Sequence, residues 1–171
     1  MTTKHFLYVL SLIAILLTSC QEEDFDIRQP DVGRFVSLLK DGSYTRRVGN
    51  ELPDFTLEHI EELMPYLNDT TRIEYFPANP ISSKYTSPKI LSECLLWTIE
   101  GIRLKNKFPS MEPCLIDTLV YSESRGFARL SGKQLLEVSE VYSAWYAEYR
   151  IQPSEVLRSR NVLEATSFKW N

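Results

Sequence analysis

A mainly α-helical domain of about four to five helices is what this sequence predicts, with a small antiparallel hairpin or sheet near residues 115–130 and the C-terminus. Three observations carry that expectation. Residues 87–107 and 130–150 place apolar side chains at helical spacing over several turns each. Two shorter stretches, 31–42 and 56–69, repeat the pattern with end signals attached. Between the two long stretches lies a run of β-formers around a polar turn. A hydrophobic fraction of 43%, with 12% aromatics, is enough to build a core rather than a disordered chain.

In chain order, Asp31 offers an N-cap carboxylate, Val32, Phe35, Val36 and Leu39 share one face, and Gly42 supplies a stop. Residues 43–55 read as connection with a short extended piece. Leu57, Ile60, Leu63, Met64 and Leu67 are helically spaced behind Thr56, and Pro65 inside the pattern predicts a kink or an early end. Ser87 with Pro88 reads as cap and first helical residue of a helix apolar nearly all round, the expected centre of the domain. The pair of helices flanking Asp69 suggests a HEAT-like helical hairpin with a long insertion between its halves. Ser131 and Gln134 form a capping-box pattern, with Leu130 and Leu135 at staple spacing. The stripe Leu135, Val138, Tyr142, Trp145 and Tyr149 faces inward. Residues 161–170 offer a further strand.

Ahead of residue 20 stands Lys4 followed by an apolar run from Phe6 to Leu17. As a helix it would span about 18 Å, short of the about 30 Å of a bilayer core. A basic start and a short apolar stretch ending in small residues describe a cleavable secretory signal. Leu17-Thr18-Ser19-Cys20 resembles the bacterial lipobox. What the resemblance implies is diacylglyceryl transfer to the Cys20 sulfur, cleavage after Ser19 and acylation of the new amine, leaving a palmitate-type lipid anchor at the new N-terminus. The expected organisation is a signal peptide over 1–19, an acidic tether over 20–30 and one globular domain over 31–171. Several acyl chains hold a protein on a bilayer where one binds only reversibly. The residues that follow, Gln21, Glu22, Glu23 and Asp24, read as a solvated tether. They also resemble the acidic export signal of surface lipoproteins in Bacteroidetes, which implies the outer membrane and leaves its two faces open.

Loss of residues 1–19 takes the formal charge from -4 to -5, because Lys4 goes with them. An acidic chain without a basic stripe excludes nucleic acid as the expected partner. Cys94 and Cys114 are a possible disulfide outside the cytoplasm, while Cys94 also suits an apolar helix face as a free thiol. His59 is the sole histidine after the leader, and with both thiols it has no zinc-ligand spacing. Scattered glycines make no phosphate loop. No cofactor or metal is called for. Glu93 and Glu100 fall on the central helix, where Lys89 and Arg103 lie within a turn to neutralise them. Trp145, Tyr146, Tyr149 and Trp170 form either core or a sugar-binding platform.

The long loop over 69–86 is too apolar for disorder and too long to be idle. Tyr75, Phe76, Asn79 and Tyr85 are its candidate binding side chains. Asp69-Thr70-Thr71 and Asp117-Thr118-Leu119 resemble the O-glycosylation pattern of exported Bacteroidetes proteins, which implies Thr70 and Thr118 as acceptors. The runs "DFTLEHIEELMPYLNDTTRIEYFPANPISS", "ECLLWTIEGIR" and "FPSMEPCLID" resemble a family of small Bacteroides lipoprotein-type domains of unknown function. The expectation is a lipid-anchored outer-membrane protein, at the cell surface or facing the periplasm. It would act as a non-catalytic binding module for an unspecified protein or glycan. Two alternatives stand beside it. One is a glycan-acting enzyme or carbohydrate-binding accessory factor using Glu93 or Glu100; the other is an immunity-type lipoprotein that neutralises a toxin.

Overall fold

The computed structural model describes residues 24–78, 89–122 and 126–171. The leader, Cys20, the first acidic residues after it, Asn79, Tyr85, Ser87 and Pro88 lie outside the described residues. The class is mixed α/β, which corrects the mainly helical expectation. Among the described residues, six α-helices accompany two antiparallel sheets. The physical reason is length. Strands of two or three residues never run long enough to display an alternating pattern, so the helical periodicity dominates the sequence.

Helix α1 (Val32–Lys40) begins where the Asp31 carboxylate accepts the Arg34 N–H at 2.6 Å, and Gly42, at φ 71°, turns the chain out of it. A short α2 (Tyr44–Val48) follows where the sequence read only a connection. Tyr44 is buried there and donates its hydroxyl to the Glu51 carbonyl at 2.6 Å. Helix α3 (His59–Leu63) tightens into a single 3-10 turn over Met64–Tyr66, the adjustment a proline at 65 forces by lacking an N–H. Past Asp69 the chain enters β1 (Arg72–Ile73), which pairs antiparallel with β2 (Lys89–Ile90) and closes the base of the intervening loop.

Helix α4 (Leu91–Leu104) therefore starts later than Ser87 and Pro88 suggested, since Lys89 and Ile90 are held in the ladder. Its first N–H groups find partners in the backbone, Leu91 to the Thr71 carbonyl and Ser92 to that of Asp69, both at 3.0 Å. Every residue of α4 from Leu91 to Arg103 is buried. Around it pack α3, α5 (Gly132–Tyr149) and α6 (Ser154–Ser159). Strands β3 (Leu115–Ser122), β4 (Gly126–Arg129) and β5 (Phe168–Trp170) form the second sheet in the order β4-β3-β5. The pairing of β3 with β4 slips between Asp117 and Tyr121, leaving Leu119 exposed on the irregularity. Helix α5 opens with the capping box that Ser131 and Gln134 encode.

The residues just before α1 are packed rather than trailing. The Phe25 ring lies 6.3 Å from Phe35 and 5.9 Å from Tyr44, and the Ile27 carbonyl accepts the Asp54 N–H at 2.8 Å. Phe25 and Ile27 thus belong to the folded body. Among the described residues, no helix is long and apolar enough to cross a membrane.

Candidate functional site

Two carboxylates are buried on α4, at 3% exposure for Glu93 and 6% for Glu100. The Glu100 carboxylate receives Arg103 through both oxygens, Nη2 at 2.6 Å and Nε at 2.9 Å, and the Tyr142 hydroxyl at 3.0 Å. The remaining Arg103 nitrogen donates to the carbonyls of Arg158 and Arg160. Tyr142 in turn accepts the Trp170 indole N–H at 3.1 Å. The network ties α4, α5, α6 and β5 together through three donors on the Glu100 carboxylate. A recess of about 460 Å3 beside it is lined by Trp170, Leu163, Arg158 and the Glu100–Arg103 pair itself.

Glu93 has different partners from those its helix offers. Its carboxylate accepts the Leu115 N–H at 2.8 Å and Arg129 at 3.3 Å, whereas Lys89 pairs with Glu112 at 2.9 Å. Burial raises the Glu93 pKa, with the Leu115 N–H and Arg129 opposing. Its task is to fasten β3 to the central helix.

An open cleft of about 440 Å3 lies where the 52–58 segment faces the C-terminal end of α4. Leu52, Phe55, Leu57 and Ile102 provide apolar walls; Lys105, Lys107 and Arg158 provide cations, with Glu58 on the rim. The helix end explains the shape. The Lys105 N–H bonds the Ile102 carbonyl at 3.3 Å and the Asn106 N–H bonds that of Gly101 at 3.0 Å, a Schellman closure. That closure needs a left-handed residue, and Lys105 supplies it at φ 53°. Gly101 permits the return, because a Cβ there would stand 2.8 Å from the Asn106 carbonyl oxygen. Arg158 Nη1 caps the Ile102 and Arg103 carbonyls at 2.7 and 2.8 Å, while its buried Nε has no partner among the described residues. Lys107 pairs with Asp54 and reaches the Leu52 carbonyl. The Lys105 ammonium is exposed and has no partner among the described residues.

The sequence-predicted residues are dispersed relative to this cleft. Phe76 is buried, edge-on to Trp97 at 6.0 Å, so it anchors the long loop in the core. Tyr75 is half-buried with its hydroxyl on Asn50 at 3.0 Å. Cys94 and Cys114 are both buried free thiols, and burial lifts the Cys114 pKa to about 11. The Thr118 hydroxyl donates to the Ser167 carbonyl at 2.7 Å, while Thr70 is exposed at a turn whose Asp69 carboxylate is held by Lys40. Trp145 is buried, and Tyr146 and Tyr149 are half-buried against the body. His59 bonds Thr56 through Nδ1 and meets the Phe55 ring at 5.3 Å. Among the described residues, no three His, Cys, Asp or Glu side chains come together as a metal site. The cleft itself was missed from sequence. Its signal was the Lys-Asn-Lys-Phe-Pro end of the central helix, which reads simply as cations complementing a helix terminus.

Neither a curated protein nor a solved structure matches this chain. One family model does, over residues 26–171, beginning next to Phe25, which belongs to the folded body. The chain belongs to the family described as "Domain of unknown function (DUF4943)".

Proposed function

We propose that this chain is a lipid-anchored outer-membrane lipoprotein of the Bacteroidetes type, held by Cys20 and acting as a non-catalytic binding module. The single observation that favours binding over catalysis is the contrast between its two kinds of buried feature. Both helix carboxylates are held by internal arginine, hydroxyl or N–H donors, while the cleft beside Lys105 joins apolar walls to a cation that has no partner among the described residues. An acid or base needs access to substrate, and a binding site needs only complementary walls. The anchor reading rests on the lipobox and on the length of the apolar run before it.

Metabolic labelling with palmitate tests the anchor. Labelled chain should appear in the membrane fraction, and Cys20→Ala should lose both the label and the membrane association. Retention of the label by Cys20→Ala contradicts the anchor. Complementation of a deletion strain tests the module. Thr56→Trp, which crowds the cleft from an exposed position, should fail to restore the deletion phenotype, and Glu93→Gln should restore it. The reverse pattern would favour chemistry at the carboxylate.

A further inference from the structure

The geometry points to a ligand class for the cleft: a single-chain amphiphilic carboxylate, of fatty-acid type, with its carboxylate at Lys105 and its chain along Leu52, Phe55, Leu57 and Ile102. This deepens the binding-module reading and rests on it. Four observations converge. First, the volume of about 440 Å3 lies within the range of small-molecule sites, about 300–1,000 Å3, and the lining combines apolar side chains with cations.

Second, the cations are not equivalent. Lys107 is neutralised by Asp54, and Arg158 is held by its Nη1 on two carbonyls that end α4. Lys105 is left as the one cleft cation with a side chain that has no partner among the described residues. With Glu58 also on the rim, the surroundings suit one negative group rather than a polyanion.

Third, Lys105 sits at a left-handed position that glycine would take without strain. A lysine there costs stability and gains no internal contact in return. Strain of this kind is retained where a side chain serves something outside the fold. Arg158 already complements the carbonyl end of the helix, so Lys105 is not needed for that role.

Fourth, the cleft wall is tied to the chain leading to the lipid. Asp54, inside the wall segment, bonds the Ile27 carbonyl. Ile27 lies seven residue steps from Cys20, a reach of at most about 25 Å. An anchored chain would therefore hold this cleft close to a bilayer, where single-chain carboxylates are at hand.

The test uses the full acylated chain in lipid nanodiscs, titrated with octanoate, octanol and octylammonium against empty nanodiscs. Octanoate should bind about tenfold more tightly than octanol, the contribution of one charge-assisted contact. Lys105→Glu should reverse the preference to octylammonium while leaving octanol unchanged. Lys105→Gly should melt about 2–4 °C higher and lose the advantage of octanoate over octanol. Equal binding of octanoate and octanol by the parent would overturn the assignment. So would unchanged octanoate binding by Lys105→Glu, or no binding of either compound. Those failures bear on the ligand class alone, since the anchored-module reading is decided by palmitate labelling and complementation.

Discussion

Arg103 does more than neutralise one carboxylate. It reaches two oxygens of Glu100 and two backbone carbonyls near the end of α6, all from a side chain 5% exposed. Removing one partner of a buried pair leaves the other charged and uncompensated. Arg103→Ala should therefore lose about 3–5 kcal/mol in urea unfolding. Arg103→Lys should not recover it, since an ammonium cannot reproduce the planar fork. Glu93 carries the opposite sign of pH dependence from a surface-paired acid. Its pKa is raised in the folded chain, so its contribution is fully present below the ordinary 4.5 and is lost as pH climbs through the raised value. Glu93→Gln keeps an acceptor for the Leu115 N–H and removes that loss. Thermal unfolding across pH should show the variant gaining on the parent above about 4.5, and staying within about 1 kcal/mol of it at neutral pH. The pairing of Glu100 with Arg103 was legible because the two lie one turn apart on a helix. The partners of Glu93 were not, because Leu115 and Arg129 come from a distant hairpin that no local spacing announces.

Helix α4 shows how far element ends can be read from a sequence. The caps of α1 and α5 follow local rules, Asp31 and the Ser131–Gln134 box, and they stand where those rules place them. The start of α4 obeys a tertiary rule instead. Backbone carbonyls of Asp69 and Thr71 replace a side-chain cap, and the β1–β2 ladder decides the first helical residue. Helices α2 and α6 were missed because five or six residues offer too little periodicity. At the other end of α4, Gly101 pits propensity against packing. Alanine is favoured over glycine inside a helix by about 1 kcal/mol. Here its Cβ would lie 2.8 Å from a backbone oxygen that cannot swing away. Gly101→Ala should therefore destabilise by about 1–3 kcal/mol in denaturant, the typical cost of overpacking.

At the scale of the molecule, one helix buried on all sides organises three others and a twice-paired strand, and Phe25 is already packed into the body. That packing matters for the proposed anchor. If Cys20 holds lipid, it lies five residue steps from the packed ring of Phe25, an extended reach of at most about 18 Å. The body would ride on the bilayer, not swing above it. The separate tether expected over residues 20–30 is in its later half part of the fold. The sequence revealed the central helix and the hairpin region through long apolar patterns. It concealed the mixed class and the cleft, because short strands and a helix return are settled by contacts far along the chain. Mass spectrometry of the native protein from its own membranes tests the central claim most directly. The account predicts a chain beginning at Cys20 with a diacylglyceryl group on its sulfur and an acyl group on its amine, and a retained leader or an unmodified thiol at that position would contradict it.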